Sequence, residues 1–212
     1  METSFWHERW DENQIGFHES EPNPLLVNNF HQLSVDKGAR VFVPLCGKTL
    51  DIGWLLANGY RVVGVELSET AIEQLFQELG VEPDISDVGN LKLYSAADID
   101  IFVGDIFDVS SDILGNIDVV YDRAAMVALP EDMRTRYTVH LTKITNKAPQ
   151  LLICFEYDQS QMDGPPFSID GAEVTKHYGQ IYDLTMLESL DVVGGLKGRC
   201  AASDNAWLLR NK

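Results

Sequence analysis

The sequence predicts an α/β fold: a doubly wound, mostly parallel sheet with an antiparallel hairpin at its C-terminal end. Three observations carry that expectation. Five short runs rich in Val, Ile and Phe recur at residues 40–45, 61–67, 99–107, 117–121 and 151–157. Their apolar residues are consecutive rather than alternating, as in strands buried on both faces. Helical patterns separate the runs, and strand–helix–strand order implies right-handed crossovers between parallel strands. Beyond residue 180, the β-rich segments 181–190 and 205–210 follow each other with no convincing helix between them, which reads as the hairpin.

The helices follow from spacing and caps. A short N-terminal helix contains Trp6 and Trp10, and a second begins at Asn23-Pro24 and carries Leu25, Leu26, Phe30 and Leu33. Residues 50–58 form another, ended by Gly59. Ile72, Leu75, Phe76 and Leu79 fall on one helical face, with Ser68 as the N-terminal cap and Gly80 in the left-handed position that closes the helix. Residues 130–146 begin near Pro130 and align Met133, Tyr137, Leu141 and Ile144. The chain of 212 residues suits one compact domain, with residues 1–35 as lid helices and 36–212 as the α/β core.

Composition narrows the function. Sixteen Lys and Arg against 33 Asp and Glu give a formal charge of −17, which repels nucleic-acid backbones and anionic lipid. No apolar run approaches the roughly 20 residues of a membrane span. Residues 1–10 are charged and amphipathic, unlike a secretory signal, so the expected location is cytoplasmic; nothing in the sequence demands more than a monomer. Cys46, Cys154 and Cys200 are too few and too scattered for a disulfide framework or a Cys-x-x-Cys pair. The five histidines show no metal-ligand spacing, so no metal is expected.

Ligands of open α/β sheets bind beyond the carboxyl ends of the strands, so the loops there hold the candidate chemistry. The first is Pro44-Leu45-Cys46-Gly47-Lys48-Thr49. Its Gly-Lys-Thr resembles the end of a phosphate-binding loop, but that motif needs glycine where Phe42 stands. A lone glycine suits a ligand that approaches the backbone without a pyrophosphate. Glu66, at the tip of the second run, is placed to accept hydrogen bonds from ribose hydroxyls; the plainer reading is a solvated strand-end charge. Gly104-Asp105-Ile106-Phe107 offers a carboxylate and apolar faces to a purine, and Arg123 follows Asp122 at the tip of the fourth run. Arg123 either pairs on the surface or holds an anion in the cleft. Together these residues describe a nucleoside pocket without phosphate machinery, for which S-adenosylmethionine is the common cofactor. The residues alone leave three classes open: a methyltransferase, a nucleotide-dependent kinase or ATPase, and a catalytically silent nucleoside-binding module.

Longer segments add a family resemblance. Trp6-His-Glu-Arg-Trp10, Gly16-Phe17-His18, Arg40-Val-Phe-Val-Pro-Leu-Cys-Gly-Lys48, Val62-Val-Gly-Val-Glu-Leu-Ser68, Asp105-Ile-Phe107, Tyr121-Asp-Arg-Ala-Ala125 and Gly164-Pro-Pro-Phe167 run in order along the chain. They resemble the thiopurine S-methyltransferases, particularly the bacterial branch. The resemblance implies a class I, Rossmann-like methyltransferase fold with S-adenosyl-L-methionine as cofactor. It implies cofactor contacts from Trp10, Leu45, Glu66, Ile106 and Arg123, to which the loop reading adds Gly47 and Asp105. It further implies that Trp6 and Phe17 belong to an N-terminal lid and that Pro166 and Phe167 line the substrate side. The implied acceptor is an aromatic or heterocyclic thiol, and in bacteria also selenium or tellurium compounds. Arg123 is the expected catalytic residue, favouring the thiolate or holding the ring. Ala124 stands where the animal enzymes have glycine, and residues 197–212 depart from the animal pattern.

Overall fold

A computed structural model describes residues 19–212 of the protein. The helix expected around Trp6 and Trp10, and the closing segment that includes Phe17, lie outside the described residues.

Among the described residues, nine strands form one sheet in the order β3-β4-β5-β2-β1-β6-β7-β9-β8. The central five, β1 (Arg40–Pro44), β2 (Arg61–Glu66), β5 (Ile99–Val103), β6 (Val119–Arg123) and β7 (Gln150–Tyr157), are parallel. β8 (Tyr182–Asp191) and β9 (Ala202–Asn211) close one end as the expected antiparallel hairpin, β9 lying against β7.

The consecutive apolar runs are explained by layers on both faces. Val41 and Val43 of β1 pack with α1 (Pro24–Asn29), α2 (Leu50–Ala57) and α3 (Glu69–Leu79). Phe42 between them faces the other layer, which holds Leu114 of α4 (Ser111–Leu114), Ala125 of α5 (Ala125–Ala128) and Tyr137, Leu141 and Ile144 of α6 (Glu131–Ile144). Ser68 Oγ accepts the Ala71 N–H at 3.3 Å, and Gly80 closes α3 at φ 68°, so both caps of that helix are as the sequence predicts. Within the stretch expected as lid helices, Leu25, Leu26, Phe30 and Leu33 are buried in the core, so residues 24–33 are built into the body of the fold.

Three features depart from the sequence reading. The sheet continues beyond β5 into a second antiparallel hairpin, β3 (Asp84–Val88) and β4 (Leu91–Ala96), whose outer strand is almost wholly exposed and so carries no apolar signal. The run 99–107 ends as a strand at Val103; Asp105 Oδ1 accepts the Phe107 N–H at 3.0 Å and turns the chain into a short 3₁₀ segment. A helix, α7 (Gly171–Tyr178), capped by Asp170, precedes β8; it buries only Val174 and Tyr178, too few to mark it by periodicity.

Candidate active site

A cavity of about 400 Å³ opens at the carboxyl ends of the five parallel strands. Its lining falls into two halves. One is built from the loops after β1, β2 and β5, the other from α5, the ends of β6 and β7, and residues near Pro165 and Leu196.

Glu66 organises the first half. Its Oε2 accepts the Gly47 N–H at 2.8 Å and its Oε1 the Ser68 N–H at 2.9 Å, while its backbone carbonyl accepts the Gly104 N–H at 2.9 Å. One residue thereby ties together three loops, and it is 6 % exposed. The loop after β1 lies close to β2. Cys46 N–H donates to Val65 O at 3.0 Å, and Leu45 and Gly47 take φ values of 46° and 50°. Gly64 makes that approach possible, because a Cβ there would sit 3.0 Å from Cys46 Sγ and 2.6 Å from Ile101 Cδ1. Burial, together with Glu66, pushes the Cys46 thiol well above its usual range, so it is a packing group and not a nucleophile. Burial does the same to Cys154.

Asp105, Ile106 and Phe107 form the far wall of this half. His140 Nε2 donates to the Ile106 carbonyl at 2.9 Å, and the Arg136 guanidinium lies 4.6 Å from the centre of the Phe107 ring, so α6 braces the loop. Phe42 is fully buried in the core, which leaves no backbone nest for a phosphate chain below Gly47. The kinase reading of Gly47-Lys48-Thr49 fails on that ring. Lys48 is instead paired with Glu78 at 2.7 Å.

Arg123 stands where the two halves meet, 11 % exposed. Nη2 pairs with Glu19 at 2.7 Å; Nη1 lies 3.3 Å from Thr49 Oγ1 and 3.5 Å from Asp51 Oδ2. Asp51 is wholly buried and accepts the Asn23 N–H at 2.7 Å and the Tyr121 hydroxyl at 2.8 Å. Burial works against the Arg123 charge, but Tyr121, Asp51, Glu19 and Asp204 outweigh it and hold its pKa above the usual value. Asp122 points the other way, into the core, where it accepts the Tyr137 hydroxyl at 2.6 Å; burial pushes its carboxyl up to about 6. Ala124 follows in the left-handed region at φ 66° and starts α5.

The second half is largely apolar: Val127, Leu129, Met133, Phe155, Pro166 and Leu196. Lys197 Nζ reaches over it to the Pro165 carbonyl at 2.8 Å. One expectation is corrected here. Phe167 does not line the cavity; its ring packs against Gly164 and lies 5.7 Å from the Arg134 guanidinium, while its N–H is bonded to Val127 O at 2.6 Å. The backbone hydrogen bond to Val127 holds the ring away and leaves Pro166 as the wall.

The structure therefore brings Leu45, Gly47, Glu66, Asp105, Ile106, Arg123 and Pro166 to one cavity. Trp6, Trp10 and Phe17 lie outside the described residues. Sequence reasoning missed Asp51, Tyr121 and Asp204. Asp51 carries only the ordinary signature of a first-turn helix acid, and Asp204 precedes the segment read as the last strand. Among the described residues, no group of His, Cys, Asp and Glu is placed to hold a metal ion, and no helix is long and apolar enough to cross a membrane.

A parallel sheet of this order, with an acid at the tip of β2 tied to a glycine loop after β1, is the architecture of the class I methyltransferases. Among solved structures, the chain is similar to 1,6-didemethyltoxoflavin-N1-methyltransferase from Burkholderia thailandensis, crystallised with S-adenosylhomocysteine. The TM-score is 0.68 at 14% identity, covering 99% of this chain and 87% of that one. The family profile of thiopurine S-methyltransferase matches residues 1–210, and the chain belongs to that family. It is 54% identical over 210 residues to the thiopurine S-methyltransferase of Xanthobacter autotrophicus, covering 99% of each. It is 56% identical over 209 residues to that of Teredinibacter turnerae, covering 99% of this chain and 97% of its relative.

Proposed function

We propose that the protein transfers a methyl group from S-adenosyl-L-methionine to the sulfur of a thiopurine-like heterocyclic thiol. The observation that carries this reading is the two-part cavity: a nucleoside-sized half organised by Glu66, joined at Arg123 to an apolar half walled by Phe155 and Pro166. When bound, the cofactor supplies a sulfonium-activated methyl group and its own leaving group. The residues present fit it. Glu66 is the acid for the ribose hydroxyls, and Leu45 and Gly47 provide backbone beside it. Asp105 and Ile106 serve the purine, and Arg123 takes the carboxylate of the methionine end. Trp10 is assigned to the cofactor by family resemblance, and Trp6 and Phe17 to closing the site.

The chain's own task is then to hold the acceptor sulfur in line and exclude water. Apolar walls suit a flat heterocycle. For acceptors that ionise, such as a simple aromatic thiol, Arg123 favours the thiolate, because a neighbouring cation stabilises the charged form. Selenium and tellurium compounds, being softer nucleophiles, are further candidate acceptors. The charge of −17 speaks against nucleic acid as the acceptor. Three free cysteines accord with a cytoplasmic protein.

The test is an acceptor screen with methyl-labelled S-adenosylmethionine, with thermal shift alongside. S-adenosylhomocysteine is expected to raise the melting temperature by binding the native state, whereas ATP with magnesium is not. Cofactor binding with no transfer to any thiol would favour the silent binding module instead.

A further inference from the structure

Among the described residues, five carboxylates line the cavity: Glu19, Asp51, Glu66, Asp105 and Asp204. Four of them already hold hydrogen bonds or ion pairs of 3.0 Å or less. Asp51 is fully buried with both oxygens bonded, and Glu19 is paired with Arg123 at 2.7 Å. Glu66 holds two backbone amides, and Asp105 caps the turn after β5. The Asp204 carboxylate has one hydrogen bond among the described residues, a long one of 3.5 Å from Asn23 Nδ2.

Its position is set by register. Asp204 lies directly opposite Phe155 across the β7–β9 ladder. Residues so paired project to the same face of a sheet. Asp204 and Phe155 both line the cavity, so a carboxylate stands beside the wall against which a flat acceptor would lie.

The chemistry of that acceptor needs such a group. A thiol on a ring carbon next to nitrogen exists largely as the thione, HN–C=S. When its sulfur takes a methyl group, the ring nitrogen must lose a proton.

Resting on the acceptor reading above, we propose that Asp204 is the general base that accepts this ring N–H proton as the sulfur is methylated. The C=S π pair forms the S–CH₃ bond, and the bond from methyl to the sulfonium breaks with its pair remaining on that sulfur. The N–H pair becomes the ring C=N bond, and the proton passes to the Asp204 carboxylate. One sulfonium charge and one carboxylate charge disappear together, leaving the cofactor sulfur, the methylated ring and the Asp204 carboxyl uncharged.

The surroundings suit the role. Burial pushes the Asp204 carboxyl up to about 6; Asn23 and Arg123 lower it, and Glu19 and Asp51 raise it further. Tyr121 and Cys154 also feel its charge, and burial holds both in their neutral forms. A base with its pKa just below neutral is mostly ionised at pH 7 yet strong enough to take a proton in the transition state.

The experiment compares 6-thiopurine, which must lose a ring proton, with 4-nitrothiophenol, a thiolate across the working range with no proton to lose. For the intact protein, kcat/KM with 6-thiopurine is expected to fall as pH drops through about 6, a limb that 4-nitrothiophenol does not share. In Asp204→Asn, the ratio of kcat/KM for 6-thiopurine to that for 4-nitrothiophenol is expected to drop by about 100-fold or more, the usual contribution of a general base. The calorimetric affinity for S-adenosylhomocysteine is expected to hold. Equal losses on both acceptors, or an acidic limb common to both, overturn the proposal and make Asp204 structural. Methylation of neither acceptor by the intact protein refutes the acceptor reading itself, and the proposal falls with it. The pH profiles need no variant, so they decide even if Asp204→Asn does not fold.

Discussion

Glu66 and Gly47 are joined by a 2.8 Å hydrogen bond from the glycine's backbone N–H to the carboxylate, so the acid that ends β2 is also the strut that shapes the loop after β1. The second oxygen of Glu66 supports Ser68 at the start of α3 in the same way. Replacing Glu66 with Ala removes both supports and the acid assigned to the ribose. S-adenosylhomocysteine binding is expected to weaken by roughly 1.5–3 kcal/mol, the range for hydrogen bonds to charged groups. Gln, with one acceptor oxygen, is expected to fall between. Calorimetry on the two variants checks this; unchanged affinity in Glu66→Ala would remove Glu66 from the cofactor site.

Arg123 meets Asp51, which is wholly buried, and Glu19, at the rim. Arg123→Ala leaves Asp51 without its cation, and breaking a buried pair in this way costs about 3–5 kcal/mol. A drop in melting temperature is expected along with the loss of activity. Lys keeps the charge but not the planar fork, so Arg123→Lys should retain part of the activity. If Arg123 also favours the thiolate, the Arg123→Ala rate with thiophenol at saturating S-adenosylmethionine should recover partly at higher pH. A uniform drop across the profile would limit Arg123 to binding and positioning.

Gly64 and Gly53 make opposite predictions. A methyl at Gly64 meets Ile101 at 2.6 Å and Cys46 Sγ at 3.0 Å, so Gly64→Ala overpacks the core and pushes on the loop that carries Gly47. A loss of about 1–3 kcal/mol in urea unfolding is expected, with weaker S-adenosylhomocysteine binding. At Gly53, inside α2, the nearest atom to an added methyl is Leu79 Cδ2 at an ordinary 3.7 Å. Gly53→Ala is expected to stabilise the fold by about 0.5–1 kcal/mol through helix propensity.

Asp122 gives a pH signature. Burial holds its carboxyl at about 6 in the folded state, above the ordinary 3.8, so the folded state binds its proton more tightly than the unfolded chain does. The stabilising contribution is fully present below about pH 4 and is lost as pH rises through about 6. Two pKa units correspond to roughly 3 kcal/mol. Asp122→Asn removes this dependence, so its stability relative to the parent should improve steadily from pH 4 to pH 7.5. Melting curves of the pair across that range check the sign; a constant difference would mean that Asp122 is not the titrating group.

How far the sequence could be read depended on whether a residue's role was local. Continuous apolar runs identified the parallel strands because burial on both faces leaves no other pattern. Ser68 and Gly80 marked the ends of α3 because caps are local chemistry. Glu66, Asp105 and Arg123 were legible as residues of the cavity because strand tips in such sheets face the crevice. Asp51 and Asp204 were not, since their roles arise only when α2 and β9, far apart in sequence, are brought against Arg123. Phe167 misled for a related reason: its motif was readable, but the hydrogen bond to Val127 that turns its ring aside is a tertiary contact. The β3–β4 hairpin had one local sign, the Gly89-Asn90 turn, and no apolar face on its outer strand to support it.

That outer strand settles how the sheet ends. β3 and β8 are its two margins, and unpaired backbone at a margin can recruit strands from neighbouring molecules. β3 is short and carries Asp84 and Asp87. β8 is broken by a bulge between Met186 and Glu188 and carries Asp183, Glu188 and Asp191. A second molecule that tried to add its own edge would bring like charges face to face and find the ladder out of step. The acidity that repels nucleic acid thus also guards each margin against fibril-like growth.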